Sequence, residues 1–451
     1  MSSRIRKGHR RSAPVAIALS LLLGITATAC GDDGSGIAGE AGSEGSGKGT
    51  ITFWDNNTAV RRGIWMEIIK DFEKKYPDIK VEYVGIPAEN AQSKYDNSIQ
   101  GGGLPDVGGV GAAMLAAIAA QGALEPLQDR LAESPLDGEL SKNMLASTTS
   151  AGGTSQLLMI PTSANNGVLY YRTDLFKSAG LDAPTTWNKF YEAAGRLTAK
   201  DKNRFGYTIR GGVGSIAQAL DAVYGQSGIK SFWNADKTKT TVNDPKNVAA
   251  LEKYTALYKK TTPAADLNNN FTQMVAQYDG GQIGMLSHNL GSYQDHVKAL
   301  GPGKFRGIPN PKTAGGKRVQ VSNPIDGLSI FKTSTKKKAA WKFIEFASSH
   351  AASSRFNESA GLIPANNKAV EDAWVEKSEP TRLAAEALNS PDTTIVQLPY
   401  YLPDWNTISK ADNEPAFQKV MLGKTSAKDF LDDLADQLNT AQSDWKRQNS
   451  S

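Results

Sequence analysis

The chain has 451 residues and a formal net charge of +5, but five of its 51 Lys and Arg and none of its 46 acidic residues fall within the first 29 positions. Beyond them the two signs balance, which excludes the clustered positive surface that binding to nucleic-acid phosphates requires. The one cysteine, Cys30, rules out an internal disulfide.

The chain opens with Arg4, Arg6, Lys7, Arg10 and Arg11, followed by an apolar run over 13–29 that ends in small residues. Charged start, apolar middle and small exit predict a secretory signal over 1–29. A membrane span is the alternative, but the run falls short of about 20 apolar residues and is interrupted by Pro14, Ser20, Gly24 and Thr26. Ala27, Thr28, Ala29 and Cys30 resemble the lipobox of bacterial lipoproteins, in which cleavage precedes an acylated cysteine. That resemblance makes Cys30 a lipid anchor and places the mature protein on the outer side of the cell membrane. An exported protein with an incidental cysteine is the plain alternative. Arg10 and Arg11 suggest twin-arginine export, which the residues after them do not support.

Residues 30–49 are mostly Gly, Ser, Ala and acid, too polar to bury surface against the entropy of ordering, and predict a flexible tether. The roughly four hundred residues that follow exceed what one core usually organises, so two lobes are expected. TITFWDNN reads as a strand, and Trp65, Ile68, Ile69, Phe72 and Tyr76 recur at helical spacing until Pro77. Ile79, Val81 and Tyr83 alternate with Lys80 and Glu82 as a second strand, completing a βαβ unit with parallel strands. The class is α/β. Helices are predicted over 114–121, 188–197, 248–258 and 339–347, the last preceded by a basic run, Lys336 to Lys338, read as a solvated turn. Phe430, Leu431, Leu434, Leu438, Ala441 and Trp445 form the stripe of a final helix, with Ser426 as its cap.

Marks of catalysis are sparse. His288, His296 and His350 lack zinc-ligand spacing. GGGLPDVGGVG has neither the Lys-Ser/Thr of a phosphate loop nor the G-x-G-x-x-G spacing, and its glycines are read as permitting tight turns around a strand near Asp106–Gly108. No G-x-S-x-G elbow is present. Carboxylates distant in sequence could still pair in space, which leaves an anchored glycan-cleaving enzyme as an alternative. No cofactor or metal is expected.

Taken in order, ITFWDNN, DFEKKYPDIKVEYVG, GGGLPDVGGVGAAMLAAIAAQGALEPL, IPTSANNGVLYYRTDLFKSAGLDAPTTWNKFYEAAGRLT, DGGQIGMLSHNLGSY, NPIDGLSIFKTSTKKKAAWKFIEFAS and GLIPANN resemble the extracellular solute-binding proteins of family 1, the maltose-binding type that serves ABC importers. The resemblance implies a periplasmic-binding-protein-like fold of two α/β lobes joined by three crossings, with a ligand cleft between them. Carried onto this chain it places the N-terminal lobe at 50–162 and 328–375 and the C-terminal lobe at 163–327 and 376–451. The crossings fall near 161–165, 323–328 and 372–378. It implies a monomer whose partners are a carbohydrate, the importer's membrane subunits and, through Cys30, the membrane, with no nucleic acid.

Ligands in open α/β sheets gather at the carboxyl ends of strands. Trp54, Asp55, Asn56 and Asn57 follow the first strand and Asn165 and Asn166 the strand ending near Thr162, although Asp55 and Asn57 fit a helix-capping role equally well. Amides both donate and accept, and Trp or Tyr rings offer an apolar platform with a polar edge, a combination suited to a sugar. The resemblance adds Tyr400, Tyr401, Asp404 and Trp405 of YYLPDW, for which lobe packing is the alternative, together with His288 and Asn289. Asn323 and Asp326 flank the second crossing, and Tyr293 stands where sugar binders often carry Trp. An amino-acid derivative, metal chelate or phosphate ester is the alternative cargo. A cationic cleft would point to a phosphate ester, and these candidates include no Lys or Arg.

Overall fold

The computed structural model describes residues 42–321 and 325–448, all within one compact unit spanning 38–451. Cys30, the lipobox and Asn323 lie outside the described residues. Twelve strands are present among these residues: β1 Gly49–Asp55, β2 Ile79–Gly85, β3 Val107–Gly111, β4 Ile160–Ala164, β5 Gly167–Arg172, β6 Phe205–Tyr207, β7 Ile283–Asn289, β8 Phe305–Pro309, β9 Arg318–Val321, β10 Ile325–Ile330, β11 Ile363–Pro364 and β12 Thr393–Val396.

The alternation of side chains along β1 sets the first sheet. Phe53 points to one face, where it meets Trp65 at 4.9 Å and Phe343 at 5.2 Å between ring centroids. Trp65 comes from helix Thr58–Lys75, which ends at Tyr76 just before Pro77, and Phe343 from helix Lys337–Ala347. Trp54 points to the opposite face, against Tyr95 of helix Ala91–Gly101. β1 pairs with β2 in parallel from Gly49↔Ile79 to Asp55↔Gly85, the predicted βαβ unit. The six-stranded order is β11-β4-β10-β3-β1-β2, with β10 antiparallel to both neighbours.

β3 crosses the middle of this sheet as VGGVG, every residue buried. Its glycines serve close approach, while the turn expected of the stretch falls earlier, on Gly102 and Gly103, whose φ are 82° and 88°. A Cβ on Gly108 would stand 2.7 Å from the Phe331 ring and from the Tyr95 hydroxyl. Those two rings lie stacked over the bare backbone, 5.5 Å apart. On the other side, a Cβ on Gly109 would crowd Asn56 at 3.2 Å.

The second sheet, β6-β7-β5-β8, has β5 antiparallel to β7 and β8, while β6 runs parallel to β7. Helix Trp187–Leu197 packs Phe190 edge-on to Tyr207 at 4.8 Å, and helix Ser215–Ser227 buries Tyr224 beside Phe232. Between β4 and β5 the chain passes from the first sheet to the second through residues 165 and 166. A parallel pair, β9 and β12, forms a third small sheet. The closing helix, Ala427–Gln448, buries its predicted apolar stripe from Phe430 to Ala441 and half-buries Trp445, and Ser426 Oγ accepts the Asp429 N–H at 3.0 Å.

Two details differ from the sequence reading. Residues 42–48, at the end of the expected tether, are held: the Gly42 N–H donates to Lys332 O at 2.8 Å, the Lys338 N–H donates to Glu44 O at 2.9 Å, and Arg130 pairs with the Glu44 carboxylate. The basic run is not uniformly solvated either, because Lys337 is buried and pairs with Glu125 at 2.8 Å. No helix among the described residues is long and apolar enough to cross a membrane.

Candidate functional site

β1, β2 and β3 are parallel, so their carboxyl ends share one edge of the first sheet. The start of antiparallel β10 and the end of β4 reach the same edge, where Ile325 pairs with Ala164. There Asn56, Asn57, Gly111, Asn165 and Asp326 line a cavity of about 300 Å³. In the second sheet β6, β7 and β8 share a direction, and their carboxyl ends carry Arg210, His288, Asn289 and Asn310. These line a further cavity of about 300 Å³ together with Gln218, Asp221, Tyr400, Trp405, Asn406 and Lys410. Ala113 and Asn289 belong to both walls, so the two cavities form one cleft along the strand ends of both sheets.

On the first side Arg61, reaching in from helix Thr58–Lys75, forms an ion pair with Asp326 and donates to Asn56 Oδ1 at 3.4 Å. The pair is largely buried, and this holds the Asn56 amide at the wall. Asp55 lies beneath, 1% exposed, accepting the Tyr83 hydroxyl at 2.7 Å and the Asn57 N–H at 3.2 Å. Burial raises its pKa, against those hydrogen bonds and the Arg61 cation. Asp55 therefore braces the strand end from below, and Asn57, at the N-cap position, makes no side-chain cap bond and faces the cavity.

On the second side His288 sits at the head of a side-chain row. Its Nδ1 lies 2.9 Å from Ser292 Oγ, which lies 3.0 Å from His296 Nε2, and His296 Nδ1 lies 2.6 Å from Asp279. Desolvation first, then the Arg210 cation, pushes the His288 pKa down to about 3. The ring is thus neutral at physiological pH, able to donate from one nitrogen and accept at the other. Phe271, 53% exposed, stacks on it with centroids 5.9 Å apart. Trp405 stands perpendicular to Tyr400 and to Phe232, at 6.0 and 6.3 Å. Asp221 accepts Asn310 Nδ2 at 2.5 Å and the Val321 N–H at 2.8 Å, and burial raises its pKa to about 6.

The cleft thus brings together Asn56, Asn57, Asn165, Asp326, His288, Asn289, Tyr400 and Trp405. Other candidates lie elsewhere. Trp54 packs in the sheet against Tyr95, with Lys94 Nζ 4.2 Å from its ring centroid. Asn166 lines a separate cavity of about 610 Å³ with Gln320 and Gln397. Tyr401 turns its hydroxyl to Gln442 at 2.6 Å and its ring to Trp445. Tyr293 packs against Phe305, and Asp404 borders a different groove. Sequence reasoning missed Arg61, Arg210, Gln218, Asp221, Asn310 and Lys410. The carboxyl-end rule applied to β6 and β8 would have reached Arg210 and Asn310, had those short strands been identified. No group of three or more His, Cys, Asp or Glu side chains able to hold a metal occurs among the described residues.

A family model for bacterial extracellular solute-binding protein matches residues 56–353. The mannitol-binding protein of Pseudomonas aeruginosa is 26% identical over 368 residues, covering 78% of this chain and 82% of that protein. The sn-glycerol-3-phosphate-binding periplasmic protein UgpB of Agrobacterium fabrum is 24% identical over 420 residues, 87% of this chain and 92% of that one. In fold, the chain is similar to the GacH receptor of Streptomyces glaucescens, whose crystal structures are unliganded and in complex with acarbose and a homologue. The TM-score is 0.73 at 22% identity, over 88% of this chain and 99% of that one.

Proposed function

Because the chain belongs to the bacterial extracellular solute-binding protein family, we propose that it captures a hydroxyl-rich solute, a sugar or polyol, in the cleft between its two sheets and delivers it to an ABC importer. The observation that carries this reading is one continuous wall on which Asn56, Asn165, Asn289 and Asn310 face the same space as the rings of Tyr400 and Trp405. Amides satisfy hydroxyls in either sense and rings cover apolar C–H faces. Micromolar affinity corresponds to about 8 kcal/mol, and hydrogen bonds net roughly 0.5 to 1.5 kcal/mol each. A few amide contacts and one stacked ring suffice. The mannitol and acarbose named for the similar proteins support the same solute class.

In this reading the lobes are 50–162 with 328–375 and 163–327 with 376–451, closing by a hinge at the three crossings named above. The protein works as a monomer attached outside the cell by a lipid on Cys30. It binds without breaking bonds. The acids on the cleft wall favour this over glycan cleavage, since Asp326 is tied to Arg61, and Asp221 to Asn310 and the Val321 N–H. A thermal-shift panel of mono- and oligosaccharides, polyols and their phosphate and uronate derivatives tests the proposal, because a ligand at a hundred times its Kd adds about 2.7 kcal/mol of stability. At least one sugar or polyol should raise the melting temperature without being consumed. A flat response across the panel, or turnover of any member, would overturn it.

A further inference from the structure

Arg210 is the feature of the cleft that a neutral sugar does not explain. It stands on the loop after β6, and its guanidinium lies over Gly214, where a Cβ would come within 2.7 Å of Nη1. Its Nε is buried with no hydrogen-bond partner. Among the described residues, no carboxylate forms an ion pair with it. Glu414 attracts it from beyond that distance while accepting the Gly214 N–H. Gln218 Oε1 is spent on the Arg210 backbone N–H at 2.9 Å, and Gln218 Nε2 on Ser287 O. Desolvation lowers the Arg210 pKa by more than Tyr254, Tyr207 and Glu414 raise it, the mark of a charge removed from water and only partly compensated.

Charge across this part of the cleft points the same way. The titratable groups on the wall are Arg210, Lys410, His288, Asp221 and Tyr400. His288 is neutral, as shown above. Burial raises the Asp221 pKa only to about 6, so it stays an anion at neutral pH, but both its oxygens are engaged by Asn310 and the Val321 N–H rather than by either cation. Two cations are thus left facing the space: Arg210, half-buried with its Nε sealed from solvent and without an ion pair among the described residues, and Lys410, exposed. Buried charges are ordinarily paired, and a guanidinium is the fork that matches a compact oxyanion with two parallel hydrogen bonds.

We propose that the solute carries an anionic group, a phosphate ester or a carboxylate, that enters the second-sheet side of the cleft and pairs with Arg210, with Lys410 as the second cation of that wall. This rests on the cleft being the solute site and narrows the solute from a neutral polyol to an acidic one. The hydroxyl-bearing remainder lies along the amides and the Tyr400 and Trp405 rings.

Titration calorimetry of the purified protein against matched sets tests it: glycerol and glycerol 3-phosphate; glucose, glucose 6-phosphate and glucuronate; inorganic phosphate; and neutral oligosaccharides. A charged member should bind at least ten-fold more tightly than its neutral parent, with the advantage shrinking as salt is raised. Arg210→Gln should erase that ratio, Arg210→Lys should keep part of it, and Lys410→Gln should reduce it less, each with an unchanged circular-dichroism spectrum. Phosphate esters outbinding glucuronate identify a phosphate as the anion, and the reverse a carboxylate. Neutral solutes binding as tightly as every charged derivative, or a charge preference untouched in Arg210→Gln, would overturn the proposal and leave the solute reading standing. Silence from every compound, neutral and charged, would overturn both.

Discussion

Trp405 is the ring on which the cleft's apolar wall most depends, and replacing it separates packing from recognition. It is 4% exposed, edge-on to Tyr400 and Phe232. A buried aromatic of this kind covers about 150–250 Å², or roughly 4–6 kcal/mol of transfer at about 25 cal/mol/Å². Mutational series for Phe or Trp to Ala fall near 3–5 kcal/mol, so the fold should pay that much in Trp405→Ala and still survive. Urea unfolding should therefore show a clear loss for Ala and a smaller one for Trp405→Phe, which keeps an edge against Tyr400. Calorimetry with the best solute should show at least a ten-fold loss for Ala, about 1.4 kcal/mol, and partial retention for Phe. An Ala variant with wild-type urea resistance would refute the packing account, and one with undiminished affinity would remove Trp405 from the solute site.

Three further outcomes are expected. Asp326→Asn leaves the Arg61 guanidinium largely buried beside a neutral amide and should destabilise by about 3–5 kcal/mol in urea unfolding; a double Arg61→Met, Asp326→Leu variant should lose less. Because the folded His288 pKa is depressed to about 3, the unfolded chain binds the extra proton, so stability is full above the ordinary histidine range and falls as pH drops from about 6.5 toward 3. His288→Gln should flatten that part of the stability-pH curve, and an unchanged curve would exclude His288 as its source. Gly108→Ala drives a methyl into the Phe331 ring and the Tyr95 hydroxyl and should destabilise by about 1–3 kcal/mol through overpacking, read by thermal unfolding.

Periodicity carried the sequence reading wherever an element buried one face. The βαβ unit followed from Lys80 and Glu82 alternating with Ile79, Val81 and Tyr83, and the closing helix from its stripe and Ser426. The amides after strands were legible too, because the carboxyl-end rule needs only the strand. Trp54 failed on the same logic: alternation with Phe53 places it inside the opposite core face rather than past the strand end. In YYLPDW, neighbours in a turn point in different directions, so Tyr400 and Tyr401 went separate ways with nothing local to divide them. Arg210, Asp221 and Lys410 carry no pattern. They meet only because a three-residue strand, a helix and a late turn converge on one edge.

The hold on residues 42–48 governs how far the body could roam if its front end is fixed to a surface. Seven residues lying along the turn at 332–338 withdraw about 24 Å of fully extended leash. A receptor on so shortened a line sweeps a smaller volume and meets a neighbouring membrane complex more often. The Arg130 to Glu44 link is one of several such holds, beside the backbone bonds of Gly42 to Lys332 and Lys338 to Glu44, and all of them lie away from the cleft.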